Sequence, residues 1–246
     1  MGTVILPRGG PEVQRIARHE VEANTVALWQ LDGDLLDQGP NGLDLTEVGT
    51  VPYIPVGALG KVVEQASEPT LTNHGSHPYD AALNIVGELT IEFMLRLNAV
   101  DSSSPLITMG VSGSEAENDN YLIFVHLNGS GQLAWLAERN NGENIEGQSQ
   151  FTATGAVPSL NQWQHITMRR TSGNVITFFI DGVSLGTSGT LLPPTGGTNG
   201  VFRIGTSGVS DLEGYLGSVH ILDRAKSDTE VLNEANRILP SWQEIL

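Results

Sequence analysis

The 246-residue chain contains no cysteine. That excludes disulfide staples, thiol nucleophiles and thiolate metal sites, and leaves stability to packing. Basic residues are scarce too: 12 Lys and Arg stand against 28 Asp and Glu, for a formal net charge of -16. A nucleic-acid binder needs a Lys/Arg patch to displace counterions from phosphate, and none is visible. Arg169 and Arg170 are adjacent in a strand pattern, so they point to opposite faces and do not make one. No apolar run approaches the roughly 18 residues of a membrane-spanning helix. The N-terminal residues lack the basic-then-apolar segment of a signal peptide, so the expectation is a protein made in the cytoplasm without cleavage and without membrane insertion. No nucleophile elbow and no phosphate-cradling glycine loop occurs either.

What is present is alternation. Leu89, Ile91, Phe93, Leu95 and Leu97 interleave with Thr90, Glu92, Met94, Arg96 and Asn98, the signature of a strand with one face in a core and the other towards water. Trp163–Leu185 reads as strand, turn, strand, Asp-Gly turn, strand. Asp181-Gly182 between apolar runs is a hairpin signal, because a type I′ turn needs positive φ at both central residues. Further strands are predicted over 25–32, 43–48, 61–66, 106–110, 121–127, 132–137, 201–205 and 214–222. The fold class is all-β, an antiparallel jelly-roll sandwich carrying an N-terminal helical arm and a short C-terminal helix.

Three segments follow. Residues 1–24 form an arm in which Val4, Ile5 and Leu6 make an apolar patch, and Pro11 opens a helix with Val13, Ile16, Ala17 and Val21 along one stripe. Residues 25–226 are the sandwich. Residues 227–246 hold a helix capped by Ser227 and Glu230, ending near Arg237 before Pro240, and an apolar tail with Trp242, Ile245 and Leu246. That tail either folds back on the sandwich or packs into a neighbouring subunit.

The stretches Ala27–Leu45, Leu89–Leu97, Trp163–Thr187, Phe202–Ser207 and Gly214–Val231 together resemble the laminin-G-like, concanavalin A-like jelly-roll superfamily, in that family's order. The resemblance implies the sandwich, core positions for Trp29 and Trp163, glycan or protein binding, often at phage or virus surfaces, and in many members a structural calcium. Two departures stand out. Ser218 follows Gly217 where relatives often have an acid, and Met94 stands where many have an aromatic at a ligand-facing surface.

Candidate sites are few. Asp32, Asp34, Asp37 and Asn41 crowd one turn with oxygens that a hard cation such as calcium favours, although Asx-turns would use the same residues to hold their own backbone. Glu115, Glu117 and Asp119 invite comparison with glycoside hydrolases of this fold, but the intervening Ala116 and Asn118 lie in a Gly/Ser-flanked loop rather than an apolar strand, so no catalytic residue is assigned. Tyr121 and Trp135 are possible stacking platforms for sugar rings, against core packing as the plainer role. His74 and His77 read as exposed loop histidines, and His165 and His220 as packed strand residues.

The leading functional reading is a non-catalytic structural or adhesion subunit of a larger particle, a phage or virus surface protein. It would be gripped through Val4, Ile5, Leu6, Val13, Ile16, Trp242, Ile245 and Leu246, with other protein subunits as partners. The alternative is a glycan-binding lectin or carbohydrate-binding module.

Overall fold

The computed structural model describes residues 17–50, 53–55, 61–65, 74–99, 103–110, 122–140, 145–155, 157–191, 201–206 and 212–243. The strands are β1 (Thr25–Trp29), β2 (Thr46–Val48), β3 (Tyr53–Pro55), β4 (Lys61–Gln65) and β5 (His74–His77). Then come β6 (Leu89–Leu97), β7 (Ser103–Gly110), β8 (Leu122–Asn128), β9 (Leu133–Asn140) and β10 (Ile145–Thr152). The last are β11 (Trp163–Arg170), β12 (Ile176–Ile180), β13 (Val183–Thr187), β14 (Val201–Ile204) and β15 (Gly214–Leu222), followed by helix α1 (Asp228–Gln243).

Pairing is antiparallel throughout both sheets. An eight-stranded sheet runs β13-β12-β11-β6-β15-β4-β3, with β1 also on β15; a seven-stranded sheet runs β10-β9-β8-β7-β14-β5-β2. A bulge between Leu216 and Val219 divides β15, so that β4 and β1 lie end to end along one of its edges. The predicted jelly-roll sandwich is the architecture found. Three strands went unforeseen: β3 and β5 are short, and β10, Ile145–Thr152, is largely polar, so none carries a legible apolar alternation.

The interior follows the period-2 pattern. Leu89, Ile91, Phe93, Leu95 and Leu97 meet Ile166, Met168, Phe178, Val219 and Ile221 on their own sheet, and Ile107, Val125, Leu133, Phe202 and Ile204 on the other. Trp29 stacks on Phe202 with ring centroids 4.9 Å apart and donates from Nε1 to the Leu43 carbonyl at 2.8 Å. The Asp181-Gly182 turn has positive φ at both residues, 52° and 80°, as type I′ requires. Arg169 and Arg170 do split. Arg170 is buried, donating to the Gly87 and Ile85 carbonyls, while Arg169 reaches the Lys226 carbonyl and Asp228.

The outward face of β6 departs from expectation. Thr90, Glu92 and Met94 are all 0% exposed. The reason is α1 and the loop that leads into it: Arg224 and Lys226 bond Thr90 and Glu92, and the helix stripe Val231, Ala235, Ile238 and Trp242 is buried. Met94, Trp163, Ile238 and Trp242 form a second apolar cluster on the outside of the eight-stranded sheet, with the Trp163 and Trp242 rings edge-on at 4.7 Å. Met94 is therefore a floor for the helix, not a ligand-facing residue, and Trp163 belongs here rather than between the sheets. Gly217 permits this approach: a Cβ there would stand 2.6 Å from the Trp242 ring and 2.8 Å from the Met94 Cβ.

The capping box forms as expected, with Ser227 N–H donating to Glu230 Oε2 at 2.7 Å and Glu230 N–H to Ser227 Oγ at 3.3 Å. The predicted stop at Pro240 does not occur, and α1 continues through it to Gln243. Proline inside a helix costs about 3 kcal/mol, which the last turn offsets through tertiary bonds. Trp242 Nε1 donates to the Ala17 carbonyl at 3.0 Å, and Ser241 Oγ accepts from Ala17 N–H at 2.8 Å. Residues 17–24 are not helical. Their carbonyls serve tertiary donors instead: Ala17 takes Trp242, Arg18 takes Arg237, and His19 takes Gln30.

We expect Trp242→Ala to lower unfolding stability by about 3–5 kcal/mol, and the volume-conserving Met94→Leu by less than about 1.5 kcal/mol, in urea titrations followed by circular dichroism.

Candidate functional site

The residues singled out from sequence do not come together. Asp37 holds the first turn: Oδ1 accepts from Leu28 and Gly39 N–H at 2.8 and 2.7 Å, and Oδ2 from Leu43 N–H at 2.8 Å. Asn41 donates to the Val26 carbonyl, Asp34 accepts from Leu36 N–H, and Asp32 pairs with Arg18. Each is occupied in fixing local backbone or an ion pair, the Asx-turn arrangement. Trp135 is 1% exposed in the main core, beneath the Arg170 guanidinium, so its ring has no face to offer a sugar. His74 and His77 lie on β5 rather than a loop, and His74 is buried. Trp242 is spent inside the fold, against Met94 and Trp163, which corrects its assignment as an assembly contact. Tyr121, Glu115, Glu117, Asp119, Val4, Ile5, Leu6, Val13, Ile16, Ile245 and Leu246 lie outside the described residues.

Two other groupings emerge. The first lies under α1, beside the Met94–Trp242 cluster. Register places His220 opposite Glu92 and His165 opposite Met94, so the outward positions of β15, β6 and β11 converge. Residue His19 comes down onto them from the segment before β1. Its Nδ1 lies 2.7 Å from Ser218 Oγ and its Nε2 3.2 Å from His165 Nε2. His220 Nε2 is 2.8 Å from Thr25 Oγ1. Lys226, just before α1, sets its ammonium 2.5 Å from Glu92 Oε2 and 2.7 Å from Glu22 Oε1. Apart from Glu22, these side chains are buried.

Electrostatics follow from that burial. Desolvation pushes Glu92 up to about 7 against the opposing pull of Lys226. Desolvation also pulls on the Lys226 ammonium, but Glu92 and Glu22 outweigh it and hold it above its ordinary value. Loss of water drives His165 and His220 down to about 3, with the Lys226 charge adding to the effect. His19 is held well below its ordinary value by burial first, then by the neighbouring imidazoles. All three histidines are therefore neutral.

Among the described residues, Glu22, Glu92 and His220 bring potential ligand atoms within 4.8 Å of one another. Lys226 already supplies the cation that both carboxylates face, and the set reads as a buried ion-pair network rather than a metal centre. Nor is it a catalytic cleft. A groove of about 230 Å³, lined by Glu22, Arg224, Lys226, Glu234 and Arg237, opens above it, while Glu92 and His220 stay 0% exposed. Alternation marks the strand members as outward-facing; that a helix would cover them is not written in any one strand.

The second grouping is on the outer face of the seven-stranded sheet. Pairing sets Thr46, Ser76, Arg203 and Thr108 opposite one another across β2, β5, β14 and β7, while their neighbours Phe202 and Ile204 enter the core. His74 and His126 flank this row on the same face. Thr46 is exposed, Ser76 and Arg203 are half-buried, and Thr108 Oγ1 donates to the Thr206 carbonyl at 2.9 Å. The row is polar, held on a rigid sheet, and reaches solvent at the β2 end.

A family model described as the concanavalin A-like lectin/glucanases superfamily matches residues 70–232. No curated protein sequence matches the chain. Among solved structures, it is similar to domain 4 of AbnA, an extracellular arabinanase of Geobacillus stearothermophilus, in complex with arabinotriose, at 16% identity and TM-score 0.63, covering 87% of this chain and 99% of that one. It is also similar to the binding domain of Paraclostridial Mosquitocidal Protein 1, at 16% identity, TM-score 0.65 and 87% of this chain. A third similar structure is the binding domain of botulinum neurotoxin DC in complex with SialylT, at 13% identity, TM-score 0.64 and 88% of this chain. The chain spans 52% of the length of each of these two toxin domains. The two toxin structures are binding domains, and at these identities the likeness establishes the fold.

Replacing Lys226 by Met leaves Glu92 buried without its cation, and we expect a loss of about 3–5 kcal/mol. The double replacement Lys226→Met/Glu92→Leu should recover most of it in a chemical-denaturation mutant cycle.

Proposed function

Because the chain belongs to the concanavalin A-like lectin/glucanase superfamily, we propose that it is a non-catalytic glycan-binding module. The observation that carries this reading is the end-to-end correspondence with the arabinanase domain in complex with arabinotriose, which matches over 99% of its length. The structure in complex with SialylT supports it as well. These correspondences favour glycan binding over the particle-subunit reading, and the use of Trp242 within the fold removes one of the latter's supports.

We place the sugar on the outer face of the seven-stranded sheet, along Thr46, Ser76 and Arg203, with the buried Thr108 behind them. Sugars present closely spaced hydroxyls, and neighbouring strands offer polar side chains at steps of about 4.8 Å, on the scale of one ring. Arg203 contributes a forked, charge-assisted donor, and hydroxyl side chains donate or accept as required. Calcium has no part in this reading, since the first turn's carboxylates already hold backbone and Arg18.

The test is a glycan array spanning arabino-oligosaccharides and sialylated oligosaccharides, followed by calorimetry on the hits. We expect binding that chelation leaves unchanged, and a loss of about tenfold or more, roughly 1.4 kcal/mol, in Thr46→Ala and Arg203→Ala at unaltered melting temperature. An array blank with and without calcium would sink the proposal.

A further inference from the structure

The histidine cluster beneath α1 has no part in the proposed sugar face, which lies on the other sheet. Its geometry joins two elements at one point. His19 belongs to the segment 17–24, and that segment is clipped to α1 by Ala17 with Ser241 and Trp242, and by the Arg18 carbonyl with Arg237. Arg237 also pairs with Glu20. On its other side the His19 ring bonds the sheet, Ser218 through Nδ1 and His165 through Nε2. A nitrogen-to-nitrogen bond of 3.2 Å needs one ring to donate and the other to accept. A first proton can enter on the donating ring and leave this bond in place, but it puts an imidazolium in a fully buried site beside the Lys226 charge; a second proton turns the accepting nitrogen into another donor and breaks the bond.

We propose that His19 is the pin of an acid-sensitive clasp: protonation of the His19–His165 pair releases segment 17–24 and α1 from the outer face of the eight-stranded sheet, leaving the sandwich intact. The surroundings set the direction. His19 faces His165 on β11 and His220 on β15, with the cationic Lys226 and Arg237 also acting on it from the loop before α1 and from α1 itself. The acids nearby, Glu22, Glu92 and Glu234, are committed to Lys226, Arg224 and Arg237. Beside His165, Asp181 accepts from its backbone N–H rather than from the ring. Glu92 Oε2 also lies 3.8 Å from His220 Nδ1, but Glu92 carries its own proton below about 7, and the charged groups acting on His19 and His165 are the cations Lys226 and Arg237.

The sign follows from proton uptake. Closed, the three imidazoles stay neutral far below their ordinary value of 6.5, while buried Glu92 keeps a proton up to about 7 instead of 4.5. Opening at mildly acid pH therefore gains three protons on histidine and gives up one from Glu92. A net uptake of about two protons shifts the open-to-closed ratio about a hundredfold for each unit of falling pH. The clasp is closed at neutrality and opens as pH falls through the window between the ordinary and the buried histidine values.

Hydrogen exchange of the full chain, read by mass spectrometry and corrected for the intrinsic pH dependence, tests this from about pH 7.5 to about pH 4. Peptides covering 17–24 and 228–243 are expected to lose protection together, at higher pH than those covering β11 and β12. His19→Gln keeps an amide that can bond Ser218 but takes no proton, and should move that midpoint down by about one unit or more. His165→Gln should do the same, and decides the matter if the first variant fails to fold. Loss of protection in all peptides at one pH, retention of α1 protection throughout, or an unchanged midpoint in the folded variants would overturn the clasp.

Discussion

The outer face of the eight-stranded sheet is organised around one desolvated ion pair. Glu92 sits mid-strand on β6 with no exposure, and the Lys226 ammonium meets it at 2.5 Å from the loop that leads into α1. A carboxylate in that position is expensive to bury alone, so strand and loop are bound to each other. Around the pair, Thr90 Oγ1 donates to the Arg224 carbonyl and accepts from Lys226 N–H, and Arg169 reaches the Lys226 carbonyl. With its first residues fixed in this way, α1 has one place to lie. Its far end then closes on Met94 and Trp163 through Ile238 and Trp242.

That arrangement makes the two sheets unequal. One sheet is buried on both faces over much of β6, β11 and β15, between the main core and the helix with its N-terminal clip. The other carries a polar row, Thr46 to Thr108, on the face away from the core. A module closed along one side and polar along the other is suited to presenting a single recognition surface, which is where we place the glycan. The imidazoles under α1 serve the closed side. They are neutral, His19 bonded to His165 and His220 to Thr25, so their influence on stability is confined to acid conditions.

What the amino-acid sequence determined by itself was whatever depends on neighbours a few residues apart. Alternation in Leu89–Leu97 sorted core from outward positions, Asp181-Gly182 specified a type I′ turn, and Ser227 with Glu230 capped the helix. Only the tertiary structure decided what became of the outward positions. Glu92 looks like a solvent-facing polar residue, and the packing expected of His165 and His220 has no visible partner in sequence, because each strand encodes its pleat and not what will lie on top of it. Continuation of α1 through Pro240, and the irregular path of residues 17–24, were settled by long-range bonds to Trp242, Ser241 and Arg237. Those bonds join residues more than 200 positions apart, a separation at which local propensity carries no information, and they outweigh the local preference at both ends of the chain.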